Sequence, residues 1–475
     1  MSAMNDSHRN CKHALDRRGF LLGTGAGFGM LAFAGLAAQA RADDAPKGPL
    51  APHPGNFPAR AKRVIFLFMH GGPSQIDTFD YKPLLERDDG KPLPFAKPRI
   101  QFAQTGNLMR SPWKFAQHGQ SGAWVSELFP SVATRVDDLC FVKSVWGTNE
   151  AHGGALLALH TGSDTFVRPS MGSWIVYGLG TENQSLPGFV TICPTLGHGG
   201  VNNWSAAFLP GVYQGTPIGN ASVPAKDATI RHLANTHWTK DAQRAQLDLL
   251  HAENEDHLAQ RAHDAQLEAR IESYELAFRM QDEAVGVMDI ESESKATKEL
   301  YGIGDPLTDN FGRQCLMARR YAEAGVRFVQ CSHSYKWDQH EKLRELHAQN
   351  AREVDKPIAG LIADLKARGL LDDTLVLWGG EFGRTPTVQG GDGRDHNPHG
   401  FTMFMAGGGV KHGFSYGETD DYGFYAAKDK VHVHDLHAPI LALLGLDHEK
   451  LTYRYAGRDF RLTDVSGRVV NEIFA

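Results

Sequence analysis

The chain has 475 residues, 41% hydrophobic and 22% charged, enough for a large core and too ordinary a balance for a disordered or collagen-like protein. Its formal charge of −6 argues against a broad nucleic-acid footprint. The 23 histidines stand out, because imidazole both binds metals and titrates near neutrality.

Residues 1–42 read as a twin-arginine signal peptide. Arg17-Arg18-Gly19-Phe20-Leu21-Leu22 carries the arginine pair, residues 20–38 are apolar and rich in Gly and Ala, and Ala40-Arg41-Ala42 is a cleavage pattern. Asp16 stands where Ser or Thr is usual. The expected protein is periplasmic or otherwise exported. Cleavage leaves 44 basic and 53 acidic residues, a charge of −9, with 21 histidines. Four cysteines remain, Cys140, Cys193, Cys315 and Cys331, with no spacing that demands a disulfide or a zinc site. No later apolar run is long enough to span a bilayer.

Residues 43–62 are Pro-rich and charged and read as a linker, followed by one domain over 63–475. The continuous apolar run 64–69 predicts a buried parallel strand, ended by the turn His70-Gly71-Gly72-Pro73. Residues 139–145 and 188–193 predict two more strands, with a helix over 152–160 between them. Residues 198–237 read as irregular. From about 240 to 288 the composition shifts to Ala, Gln, Glu, His and Leu at helical spacing, predicting a long helix or helical hairpin inserted over about 240–300. His251, His257 and His263 read as solvated helix residues. Helices over 311–324, 351–368 and 435–444 then alternate with strands over 326–331, 374–378 and 401–406. That alternation predicts an α/β fold with a central, mostly parallel sheet sandwiched by helices.

Ligands of open α/β sheets bind at the carboxyl ends of the strands. Four loops at the expected edge carry His, Asp, Glu and Arg: 70–80, 333–340, 379–386 and 393–400. Asp338-x-His340 and His396-x-x-His399 each present two ligands from one loop, a set suited to zinc, manganese or iron. Arg384 and Arg394 suit a forked clamp on phosphate or sulfate. Plainer readings stand beside these. Asp77 and Asp80 read equally as helix caps, Ser74 as a turn residue, His70 as a buried turn histidine, and Glu381 with Arg384 as a structural ion pair. His432, His434 and His437 read as caps or surface residues.

The motifs His70-Gly-Gly-Pro-Ser-Gln-Ile-Asp-Thr-Phe-Asp80, Trp337-Asp-Gln-His340, Gly380-Glu-Phe-Gly-Arg-Thr-Pro386 and Gly393-Arg-Asp-His396 resemble the domain of unknown function 1501 family. These are sulfatase-like exported proteins of the alkaline phosphatase superfamily. Residues 434–445, 451–455 and 457–460 are similar to it too. The resemblance implies an alkaline-phosphatase-like fold, two metal sites at the sheet edge, and hydrolysis of phosphate or sulfate esters. It implies that Asp338, His340 and His396, or else His399, belong to one metal site, and Glu381 to the second, where Phe382 replaces the usual His. His70 falls where an Asp ligand is usual, with Asp77 the nearest substitute.

The nucleophile departs most. Leu159-His160-Thr161-Gly162 resembles the end of the sulfatase motif, and counting back puts His152 at the nucleophile position. Cys193 precedes Pro194 with no Arg following, against a formylglycine enzyme. Ser74, His152, Thr148 and a water remain alternatives. The expectation is a divalent-metal hydrolase (zinc first, calcium or manganese as alternatives) acting on a small-molecule or glycan ester, with Arg384 on the anion. Its rival is a non-catalytic relative that binds a sulfated glycan or a protein.

Overall fold

The central strand Arg63–Met69 (β1) is buried along all seven residues, as its apolar run requires of a strand covered on both faces. The computed structural model describes residues 48–96, 106–259 and 265–475. The signal peptide over 1–42, its cleavage site and the start of the linker lie outside the described residues.

Eight further strands join β1 in one sheet. In chain order they are Leu139–Trp146 (β2), Phe189–Ile192 (β3), Thr216–Ile218 (β4), Phe328–His333 (β5), Thr374–Gly379 (β6), Phe401–Ala406 (β7), Phe414–Tyr416 (β8) and Val431–His432 (β9). The order is β8-β2-β7-β6-β1-β5-β3-β4, with β9 also paired to β2. All pairings are parallel except those of β7, which runs antiparallel to β2 and β6. The fold is therefore α/β with a mostly parallel central sheet. Every residue of β5, β6 and β7 is buried. The helices His152–Thr161 (α1), Met171–Leu179 (α2), Asp309–Glu323 (α3), Leu343–Ala367 (α4) and Val433–Leu443 (α5) bury their apolar residues in this same core.

The structure departs from the sequence expectation in two places. Within the stretches read as loops, residues Gly383–Gln389 and Gly393–Asn397 form an antiparallel hairpin off the main sheet, bulged between Arg394 and His396. Its strands are polar and interrupted by Pro386, so propensity gave no signal; buried side-chain bonds hold them instead. The stretch read as irregular over 198–237 contributes β4, an edge strand on β3. Residues 240–288 form two helices, Lys240–Ala259 and Ala265–Met288. His251 and His257 are exposed there, and His263 lies outside the described residues. All four cysteines are buried and free. No helix among the described residues is long and apolar enough to cross a membrane.

Candidate functional site

The parallel register brings strand ends together. Met69 pairs with His333 and Phe68 with Gly379, so the segments starting at His70, Ser334 and Gly380 leave the sheet side by side. Gly71 is where they meet. Its φ of +114° and a Cβ position 2.6 Å from Asp338 N exclude a side chain. Its N–H donates to both carboxylate oxygens of Glu381, at 3.0 and 3.2 Å. β2 runs parallel to this group of strands, and α1 follows it with His152 as its first residue.

Three histidines converge on Asp338. His340 Nε2 lies 2.9 Å from Oδ1, His396 Nε2 3.2 Å from Oδ1, and His152 Nε2 3.3 Å from Oδ2. In each ring the other nitrogen faces an oxygen that only accepts. His152 Nδ1 donates to Glu381 Oε1 at 2.7 Å, His340 Nδ1 to Gln389 Oε1 at 2.6 Å, and His396 Nδ1 to the Glu150 carbonyl at 2.6 Å. With Nδ1–H held, each neutral ring directs an Nε2 lone pair toward the same carboxylate. Lone pairs repel unless a cation or a proton lies between them. Ligand atoms of a tetrahedral site with bonds of 2.0–2.1 Å stand about 3.3 Å apart, close to these separations. The donor set thus fits a divalent metal. The ligating atoms of His152, Asp338 and His396 lie within 4.8 Å of one another, as do those of His340, Asp395 and His396.

The charges respond accordingly. Burial alone would raise the Asp338 carboxyl, but the ring nitrogens of His152, His340 and His396 and the Arg384 charge around it hold it far below the carboxylate range. Burial works against protonating His152, yet Asp338 and Glu381 push it up to about 9. Burial lowers His396 to about 4. Glu381 is fully enclosed, which raises a carboxyl, and is still held low because its bond to His152 outweighs desolvation. Phe382 packs its ring 4.4 Å from His396 and 4.9 Å from His152.

Other candidates are placed differently. Arg384 is 1% exposed, and its guanidinium donates to the carbonyls of Gly71, Gly72, Trp337 and Arg394 and to Asp338 Oδ1 at 2.8 Å. It aims Asp338 from behind instead of facing an anion. Asp77 is fully buried in an ion pair with Arg394 at 2.6 Å, and Ser74 Oγ donates to Asp77 Oδ2 at 2.5 Å. Asp77 therefore stands apart from the histidine cluster, and Ser74 is tied to it. His399 packs its ring on Phe424 and Tyr425 and joins none of the convergent donor groups. His70 lies beside the cluster, grouped with His152 and His198.

The sequence reading missed His198, Asp395 and Tyr335. His198 lies in a stretch without periodicity; its one signal is His198-Gly199-Gly200, which repeats His70-Gly71-Gly72. Its ring stacks 4.9 Å from His152 and 4.9 Å from Tyr335. Asp395 adjoins His396 and lies 3.8 Å from His340 Nδ1.

No curated protein matches the chain in sequence. Solved structures similar to it include an alkaline phosphatase from the Antarctic bacterium TAB5, with 12% identity, 81% of this chain and 98% of that one covered, and a TM-score of 0.34. The PsFucS1 sulfatase from Pseudoalteromonas sp. has 12% identity over 82% and 69%, TM-score 0.32. A protein in the alkaline phosphatase superfamily from Vibrio parahaemolyticus has 9% identity over 84% and 70%, TM-score 0.36. The family model described as "Protein of unknown function (DUF1501)" matches residues 61–474, and the chain belongs to that family.

Proposed function

We propose that this protein is an exported hydrolase of phosphate or sulfate esters that works with a divalent cation, zinc first. One observation carries the reading: three histidines with their Nδ1–H groups held direct Nε2 at one carboxylate. His152, Asp338, His340 and His396 would hold the cation. When bound, it supplies Lewis acidity toward an ester oxygen and makes water a stronger acid.

The chain's own residues set up that chemistry. Glu381 holds His152 in the ligating tautomer and supports its basicity, as outer carboxylates do for metal-bound histidines. Arg384 orients Asp338 and offsets its charge. Phe382 shields His396 and His152 from bulk water, which strengthens electrostatic interactions at the site. Asp338 and His340 keep about a third of their side-chain surface exposed, leaving an approach for a small-molecule or glycan ester. Export is inferred from the pattern over 17–42.

A second reading is a relative that binds a sulfated glycan or a protein without turnover. The bonding of Ser74 to Asp77 and the enclosure of Arg384 favour it, since neither is presented to a substrate. Elemental analysis of purified protein, followed by assays on phospho- and sulfo-esters, separates the two. The hydrolase reading expects bound metal and turnover that Asp338→Ala abolishes. Metal-free protein that binds a sulfated glycan without turnover, unaffected by Asp338→Ala, establishes the second.

A further inference from the structure

His70 is held the opposite way round from the three histidines facing Asp338. The backbone N–H of Tyr335 donates to His70 Nδ1 at 3.2 Å. A nitrogen that accepts a hydrogen bond carries a lone pair, so the ring is neutral and its one proton sits on Nε2. An Nε2 that carries a proton does not ligate a cation. It donates, and the neighbour it meets is His198 Nδ1 at 3.4 Å. His198 thereby keeps its own proton on Nε2, which lies 3.1 Å from Tyr335 Oη.

The arrangement is stiff. Tyr335 and His198 both occupy the left-handed region, at φ of +58° and +44°, which bulky residues rarely adopt and which clusters at functional sites. Their rings stack on each other, and the Tyr335 ring also meets the His70 ring at 4.5 Å. The Tyr335 amide that fixes the His70 tautomer is therefore part of a braced loop. The His70-to-His198 bond is long, so an anionic oxygen is the better acceptor for that N–H. His70 and His152 present nitrogens within 4.8 Å of each other.

We propose that His70 is a neutral hydrogen-bond donor to an anionic oxygen of the phosphate or sulfate ester, not a metal ligand, with Tyr335 and His198 locking its Nε2–H in place. This rests on the hydrolase reading above and extends it. The site then holds its anion with cation and imidazole N–H, which explains how Arg384 can be turned inward.

Three measurements test it. In 15N-histidine NMR of the wild-type protein, zinc-loaded and metal-free, His70 should show a protonated Nε2 and a bare Nδ1. Inorganic phosphate should shift that Nε2 signal. In the zinc-loaded protein, His70→Ala should keep the wild-type zinc content while phosphate binding weakens and kcat/KM falls about 100-fold, the scale of one lost oxyanion donor. His70→Gln, which returns an N–H donor, should recover activity to within about tenfold of wild type. Zinc lost from His70→Ala to the extent seen in His396→Ala, or a bare Nε2 in the loaded protein, overturns the proposal. Should wild type bind no zinc, the hydrolase reading fails, and the phosphate-dependent Nε2 shift still decides for or against the donor role. Should His70→Ala not fold, the wild-type spectra decide alone.

Discussion

His152 Nε2 stands 3.3 Å from Asp338 Oδ2 while His152 Nδ1 is tied to Glu381 at 2.7 Å. Both atoms that face each other bear lone pairs in the neutral tautomer, so the pair requires a positive charge between them. The metal-free protein meets that need with a proton, which is why His152 is pushed up to about 9. Removing bound metal with a chelator should therefore lower the melting temperature by a few degrees without unfolding the chain. A ligand at 100 times its Kd contributes about 2.7 kcal/mol. Calorimetry with and without added zinc checks this; identical melting curves count against a metal centre.

Glu381→Gln should weaken zinc binding by about 10–100-fold, the usual effect of losing an outer-shell carboxylate. The amide still accepts from His152 but no longer supplies negative charge to it. Competition with a chromogenic chelator reads the affinity directly. An unchanged value would place the metal away from His152.

Ser74→Ala should leave turnover within about twofold and cost about 1 kcal/mol of stability, one buried hydrogen bond to Asp77. Asp77→Ala should cost about 3–5 kcal/mol, because it leaves the Arg394 guanidinium buried without its partner. Urea unfolding beside an ester-hydrolysis assay separates the two effects. A 1000-fold fall in kcat for Ser74→Ala with normal stability would make Ser74 the nucleophile after all.

Acid should destabilise the protein before the carboxylates titrate. Burial lowers His160 and His347 to about 4 and His437 to about 3, below the ordinary imidazole value of about 6.5. These rings are neutral when folded and take up protons when unfolded. Their contribution is fully present above about pH 6.5 and is lost as pH falls toward 4, at about 1.4 kcal/mol per pH unit for each ring. His437→Gln keeps a donor for the Leu159 carbonyl and removes one titrating ring, so its unfolding free energy should fall less steeply between pH 6.5 and 4.5. Parallel slopes for mutant and wild type would remove His437 from this account.

The strands that build the sheet edge were legible from sequence because parallel strands buried on both faces need continuous apolar runs, as in 64–69 and 374–378. The turns after them, and the presence of His, Asp and Glu in those turns, were legible for the same local reason. The hairpin of Gly383–Gln389 and Gly393–Asn397 was not, because its stability comes from buried polar partners instead of a repeating pattern.

What each histidine does was decided only by tertiary structure. The ring of His396 depends on the carbonyl of Glu150, that of His340 on Gln389, that of His152 on Glu381, and that of His70 on the amide of Tyr335. All but one of these partners lie more than 200 residues away, and no spacing encodes them. A neutral imidazole has two nitrogens and one exchangeable proton, so ligand or donor is settled by whether the fold brings an acceptor or a donor to the other nitrogen. The histidine excess announced a site; the second hydrogen bond on each ring assigned its chemistry.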